Sequence, residues 1–254
     1  MTHAPPPPAH DDEPTRFFHV HVQKTGGTEL QRRLEKHFGS AAIYPNDTDG
    51  GQPDSAIVVD HLLQRWAVRR DEIRVVAGHF PLCTRDLLDA DLLTLTILRD
   101  PVERTLSLLR HSQRDEARFR NASLEDIYAH PMVLHGRIHN HMVKMFGLRT
   151  DDMDAGMLTW VDFTPDHLER AKEGLRQVDA IGLQDDFETF FDELGAAYGI
   201  TCDERGTANV TRPTEVSQEF RDRIATDNAL DVELYAYGRA LVAERRAAGA
   251  PDQR

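Results

Sequence analysis

No apolar run in this chain reaches the ~18 residues that a membrane-spanning helix needs. Cysteine is scarce: Cys83 and Cys202 are the only two, far apart and not in a metal-binding spacing. That excludes a dense disulfide framework and a cysteine-built zinc site, and it fits a reduced, cytoplasmic protein. Positive charge is also short, with 30 Lys and Arg against 43 Asp and Glu, a formal net charge of −13. Such a surface argues against non-specific nucleic-acid binding and against anionic membranes. An anionic ligand would need a local basic cleft that overrides the global sign. The opening MTHAPPPPAHDDEPT has neither a basic leader nor an apolar core, so it is not expected to be a signal peptide. Its prolines and acids predict an extended or disordered tail over residues 1–15.

What is present is enough apolar material for a core, 40% of 254 residues. One domain is expected over 16–247, with a flexible end over 248–254. Apolar runs at 17–22, 73–80, 91–98 and 179–183 read as strands, with a short one at 41–44. Helical spacing covers 60–70, 102–111, 123–129, 137–146, 169–178, 185–200, 214–226 and 228–247. Phe187, Phe190, Phe191 and Leu194 form an apolar stripe that is expected to be core packing. This alternation predicts an α/β fold in three layers, a central parallel sheet flanked by helices. Ligands would then bind at the carboxyl ends of the strands.

The most informative segment is FFHVHVQKTGGTELQRRL, residues 17–34. A buried strand runs into Lys24-Thr25-Gly26-Gly27-Thr28, and a helix follows. Glycines let backbone N–H groups approach a ligand, and a helix N-terminus favours negative charge. Lys24 adds a full charge, while Thr25 and Thr28 add hydroxyls. This loop is expected to hold a phosphate. It is not the ATP loop G-x-x-x-x-G-K-[ST], which occurs nowhere in the chain. Glu29 follows immediately, and a carboxylate there repels an anion unless it points away along the helix.

Two more motifs sit where strands are expected to end. Leu98-Arg99-Asp100-Pro101-Val102-Glu103-Arg104-Thr105-Leu106-Ser107 offers a guanidinium at a strand end, a proline suited to a first helical turn and a hydroxyl two turns on. Val75-Val76-Ala77-Gly78-His79-Phe80-Pro81 places a histidine in a constrained loop, where it is fit to take a proton at neutral pH.

In order and content these motifs resemble the sulfotransferases that use 3′-phosphoadenosine-5′-phosphosulfate (PAPS), and most of all the group of the heparan sulfate 2-O-sulfotransferases and their bacterial relatives. Those enzymes typically read H-x-P-K-T-G-G-T-S; here Gln23 replaces the proline and Glu29 the last serine. The resemblance implies a P-loop-like fold and PAPS as co-substrate, with no metal. It implies that Lys24, Thr25, Gly26, Gly27 and Thr28 bind the 5′-phosphosulfate. Arg99 and Ser107 would bind the 3′-phosphate, and His79 would be the catalytic base with Lys24 assisting the leaving group. Arg212 is expected as an extra phosphate contact. Weaker similarity at Asn140–Gly147, Ile181–Leu183, Asn209–Thr211 and Asp231–Tyr235 extends the resemblance over about residues 16–245.

The acceptor is expected to be a small molecule, lipid or sugar with a free hydroxyl, shaped by segments 45–72 and 112–165. Two alternatives stay open. One is a nucleotide-dependent kinase, for which Asp100 is the candidate magnesium ligand. The other is a non-catalytic protein that binds 3′,5′-adenosine bisphosphate (PAP). His19 and His21, and the group His135, His139 and His141, lack the partners of a familiar zinc site.

Overall fold

The computed structural model describes residues 15–50, 54–202 and 216–249. Five parallel strands form one sheet: β1 (Phe17–Val20), β2 (Ile43–Tyr44), β3 (Val75–Val76), β4 (Leu93–Leu98) and β5 (Ala180–Leu183), in the order β2-β3-β1-β4-β5. The register aligns Phe18 with Val76 on one side and with Thr94 on the other. The chain fills the β2 and β3 side of β1 first and then crosses to β4 and β5 on the other side, and this reversal opens a crevice at the strand ends.

The helices are α1 (Gly27–Phe38), α2 (Asp54–Ile57), α3 (Val59–Arg69), α4 (Pro101–Asp115), α5 (Leu124–Ala129), α6 (Pro131–Val133), α7 (His141–Gly147), α8 (Pro165–Gln177), α9 (Phe187–Tyr198), α10 (Gln218–Asp227) and α11 (Ala229–Gly249). Neighbouring strand residues feed opposite faces, as the pleat requires. Phe17, Ile43, Val75, Leu95 and Ile97 pack under α1 and α9 with Leu30, Leu34, Phe190, Phe191 and Leu194. Phe18, Val20, Tyr44, Val76 and Leu98 pack on the other face with residues of α3, α7, α8 and α11. The result is a three-layer α/β fold. A third apolar cluster joins α4, α5 and α10 through Leu106, Leu109, Ile127, Tyr128 and Phe220.

Two elements differ from the sequence reading. The run 73–80 pairs only at Val75–Val76, because Gly78 and His79 turn out of the sheet and the His79 N–H bonds to the Ala56 carbonyl. The helix expected over 137–146 is a π-helical turn, Leu134–Ile138, followed by α7. Asn140 breaks it at a left-handed φ of 43°. That conformation is anchored from afar: the Asn140 N–H donates to the Asn228 side chain, and its own Oδ1 accepts from the Asp231 N–H. Among the described residues no helix is long and apolar enough to cross a membrane.

Candidate active site

The three motifs converge. The loop from His21 to Gly26 leaves β1, Gly78 and His79 leave β3, and Arg99 leaves β4, at the same edge of three adjacent strands. Parallel strands put all their carboxyl ends on one side, so residues far apart in sequence meet there.

The first loop is tightly built. Gly26 adopts φ 97°, a left-handed turn that caps α1. A Cβ on Gly27 would fall inside the His21 ring, against Cδ2 and Nε2, so only glycine fits there. Lys24 takes φ 66°, a strained conformation for a side chain of its type. The Thr25 hydroxyl is fully buried and donates to the Val22 carbonyl at 2.9 Å, which leaves only its backbone N–H for a ligand. Thr28 is exposed at the first turn of α1. Glu29 turns away from the loop. Its carboxylate takes Arg32 Nη2 at 2.8 Å and Arg33 Nε at 2.9 Å, and these partners hold it below the usual carboxylate range. The repulsion that its position suggests is thereby neutralised. Gln23, the other departure, accepts a hydrogen bond from Arg137 Nε at 3.2 Å.

Arg99 ties the second motif to the first. Its Nη1 donates to the Lys24 carbonyl at 3.1 Å, while its Nε is buried without a hydrogen-bond partner among the described residues. Ser107 is half-buried on α4, and its hydroxyl makes no hydrogen bond to the described residues. Asp100 caps α4: its Oδ1 accepts the N–H groups of Val102 and Glu103 at 3.0 Å each. Arg212 lies outside the described residues.

His79 is half-buried, and its Nδ1 lies 2.7 Å from the His21 carbonyl oxygen. Its ring sits 4.3 Å from that of His21, which stacks on His19 at 4.8 Å. Burial holds all three imidazoles below the ordinary histidine range, His19 at about 3, so they are neutral at pH 7. The site around them is basic. Burial and the charges of Arg114, Arg137 and Arg99 lower the Lys24 ammonium pKa, as expected where cations crowd together. Arg137 and Arg114 escaped the sequence reading; no local pattern marks either residue. Of the histidines at 135, 139 and 141, the first two meet edge to face at 6.1 Å and the third stands apart. His135 lies tilted against Trp160 at 4.9 Å, His139 meets Phe163 at 5.2 Å, and His141 is fully buried.

Among solved structures, the chain is similar to a sulfotransferase from Alicyclobacillus acidocaldarius, with TM-score 0.52 and 21% identity over 91% of this chain and 96% of that one. It shares its fold with a bacterial sulfotransferase. No protein-family profile matches the sequence, and no curated protein does. The shared fold extends over nearly the whole of both chains.

Proposed function

We propose that the protein is a PAPS-dependent O-sulfotransferase, moving a sulfuryl group to an acceptor hydroxyl and releasing PAP. The observation that carries this reading is the convergence of Lys24, His79 and Arg99 at one edge of three adjacent strands, with Arg99 bonded to the Lys24 carbonyl. PAPS carries anionic groups at both ends of its nucleoside. A reader of PAPS therefore needs two anion sites in a fixed relation, and the Arg99 to Lys24 bond supplies that relation.

In this reading the N–H groups of residues 24–28 and the Lys24 ammonium receive the 5′-phosphosulfate. Gly26 and Gly27 permit the close approach, and Thr28 adds a hydroxyl. Arg99, with its unpartnered Nε, and Ser107 receive the 3′-phosphate. Arg212 is an additional candidate there. His79 takes the acceptor proton on Nε2. The acceptor oxygen forms its bond to sulfur as the bond from sulfur to the phosphate's bridging oxygen breaks. The electron pair stays on that oxygen, which Lys24 neutralises. No metal is required by these steps. Acceptors expected are small molecules, lipids or sugars with a free hydroxyl, as in the wider family that the motifs resemble.

The test is release of PAP from PAPS, followed by chromatography, with a panel of phenols, sterol alcohols and monosaccharides as acceptors. The reading expects acceptor-dependent release that falls about 10²–10⁴-fold in His79→Ala. Phosphoryl transfer from Mg-ATP to members of the same panel would overturn it.

A further inference from the structure

Arg137 reaches the site from an unusual piece of backbone. It sits in the π-helical turn Leu134–Ile138, a geometry that is rare and concentrated at functional sites. Such a turn exposes carbonyls at its end, and here two cations hold them. Lys144 Nζ donates to the carbonyls of His135 at 2.8 Å and Gly136 at 3.3 Å. Arg104 Nη1 and Nη2 donate to those of Arg137 at 3.2 Å and Ile138 at 3.1 Å. Lys144 and Arg104 are both buried, so four successive carbonyls are clamped from inside the protein.

The side chain is aimed as firmly as the backbone. Arg137 Nε donates to Gln23 Oε1 at 3.2 Å, next to Lys24. Its Nη1 is paired with Glu116 Oε1 at 2.8 Å, and Ser112 Oγ lies 3.5 Å away. Nη2 has no hydrogen-bond partner among the described residues. The Arg137 charge is felt at both Lys24 and His79. The guanidinium is thus held against the residue that precedes Lys24, beside the lysine proposed to meet the leaving oxygen.

Building on the proposed function, we propose that Arg137 is a further catalytic residue, whose Nη2 edge binds the sulfonate oxygens of the donor and holds sulfur in line with the acceptor. The two hydrogens of Nη2 suit an oxyanion with several equivalent oxygens, and orientation of the reacting atom lowers the barrier without a proton transfer. Arginine keeps its charge throughout, so the bonds and protons balance as they do without it.

PAP lacks the sulfonate, and this separates the proposal from the reading on which it rests. Binding of PAPS and of PAP is measured by calorimetry for the wild type, Arg137→Gln and Arg137→Lys. Arg137→Gln is expected to lose about tenfold or more in PAPS affinity, the worth of a hydrogen bond to a charged group. Its PAP affinity is expected to stay within about twofold, which also shows that the variant folds, and Arg137→Lys is expected to recover part of the loss. Equal weakening for both ligands, or unchanged PAPS affinity, would overturn the assignment. A wild type that binds neither ligand would instead remove the donor site itself.

Discussion

The Nδ1 of His79 donates its proton to the carbonyl oxygen of His21, 2.7 Å away. A carbonyl only accepts, so Nδ1 carries the hydrogen and Nε2 keeps a bare lone pair. The relation is reciprocal across two strands, because the His21 Nδ1 bonds to the Ala77 carbonyl at 3.2 Å. The end of β1 and the end of β3 are thus laced together by imidazoles. The histidine proposed as base comes pre-set in the tautomer that a base requires.

That arrangement has a pH consequence. Burial, with Arg137 and Lys24 nearby, lowers the His79 pKa from 6.5. A base works when deprotonated, so lowering its pKa extends activity toward acid. The acid limb of kcat/KM, which reports the free enzyme, is expected to fall below pH 6.5 and to vanish from the residual rate of His79→Ala. An acid limb above the ordinary histidine range would contradict the role.

Gly27 is required by the same histidine. In Gly27→Ala the new methyl meets the His21 ring, which is stacked on His19 and bonded to Ala77, so the loop has to move. A loss of about 1–3 kcal/mol in urea unfolding is expected, as for other overpacked sites, together with weaker PAP binding. Unchanged values for both would show that the loop tolerates the shift.

Lys24 illustrates the opposite trade. Its φ of 66° costs about 1–2 kcal/mol for a residue with a Cβ, and its ammonium faces other cations. Lys24→Gly is expected to keep the wild-type melting temperature or raise it, while turnover falls about 10²–10³-fold. A marked drop in melting temperature would mean that Lys24 is held there for the fold rather than for the ligand.

Asp231 supports the site from beneath. Fully buried, it accepts the N–H groups of Met142 and Val143 at 3.0 and 2.8 Å and faces Arg104 and Lys144. Asp231→Ala leaves both N–H groups without an acceptor and both cations without their anion. Chemical denaturation is expected to show a loss of about 3 kcal/mol or more. A loss below about 1 kcal/mol would show that the two cations need no counter-charge.

How much of this was legible in the sequence depends on distance along the chain. The strand, Gly-rich turn and helix at 17–38 were readable because their physics is local. So was the start of α4 at Pro101, with Asp100 before it. The π turn was not. It depends on Asn228, Asp231, Arg104 and Lys144 gripping residues 135–143, and helical spacing alone reads that stretch as one helix. Arg137 was hidden for the same reason, since its contact with Gln23 spans 114 positions. The direction of Glu29 was undecidable until Arg32 and Arg33 were seen to capture it. The residue type of Thr25 suggests a hydroxyl donor to the ligand, but its side chain closes the turn on Val22.

The central claim is that this sheet edge reads a nucleotide by its 3′-phosphate as well as its 5′ end. The most direct measurement is calorimetric titration of the wild type, Lys24→Ala and Arg99→Ala with PAP, AMP and ATP in the absence of metal. The account predicts that PAP binds at least about tenfold tighter than AMP, the worth of one charge-assisted contact. Arg99→Ala should erase that preference, and Lys24→Ala should weaken both ligands. Equal affinity for PAP and AMP, or a preference for ATP, would contradict it.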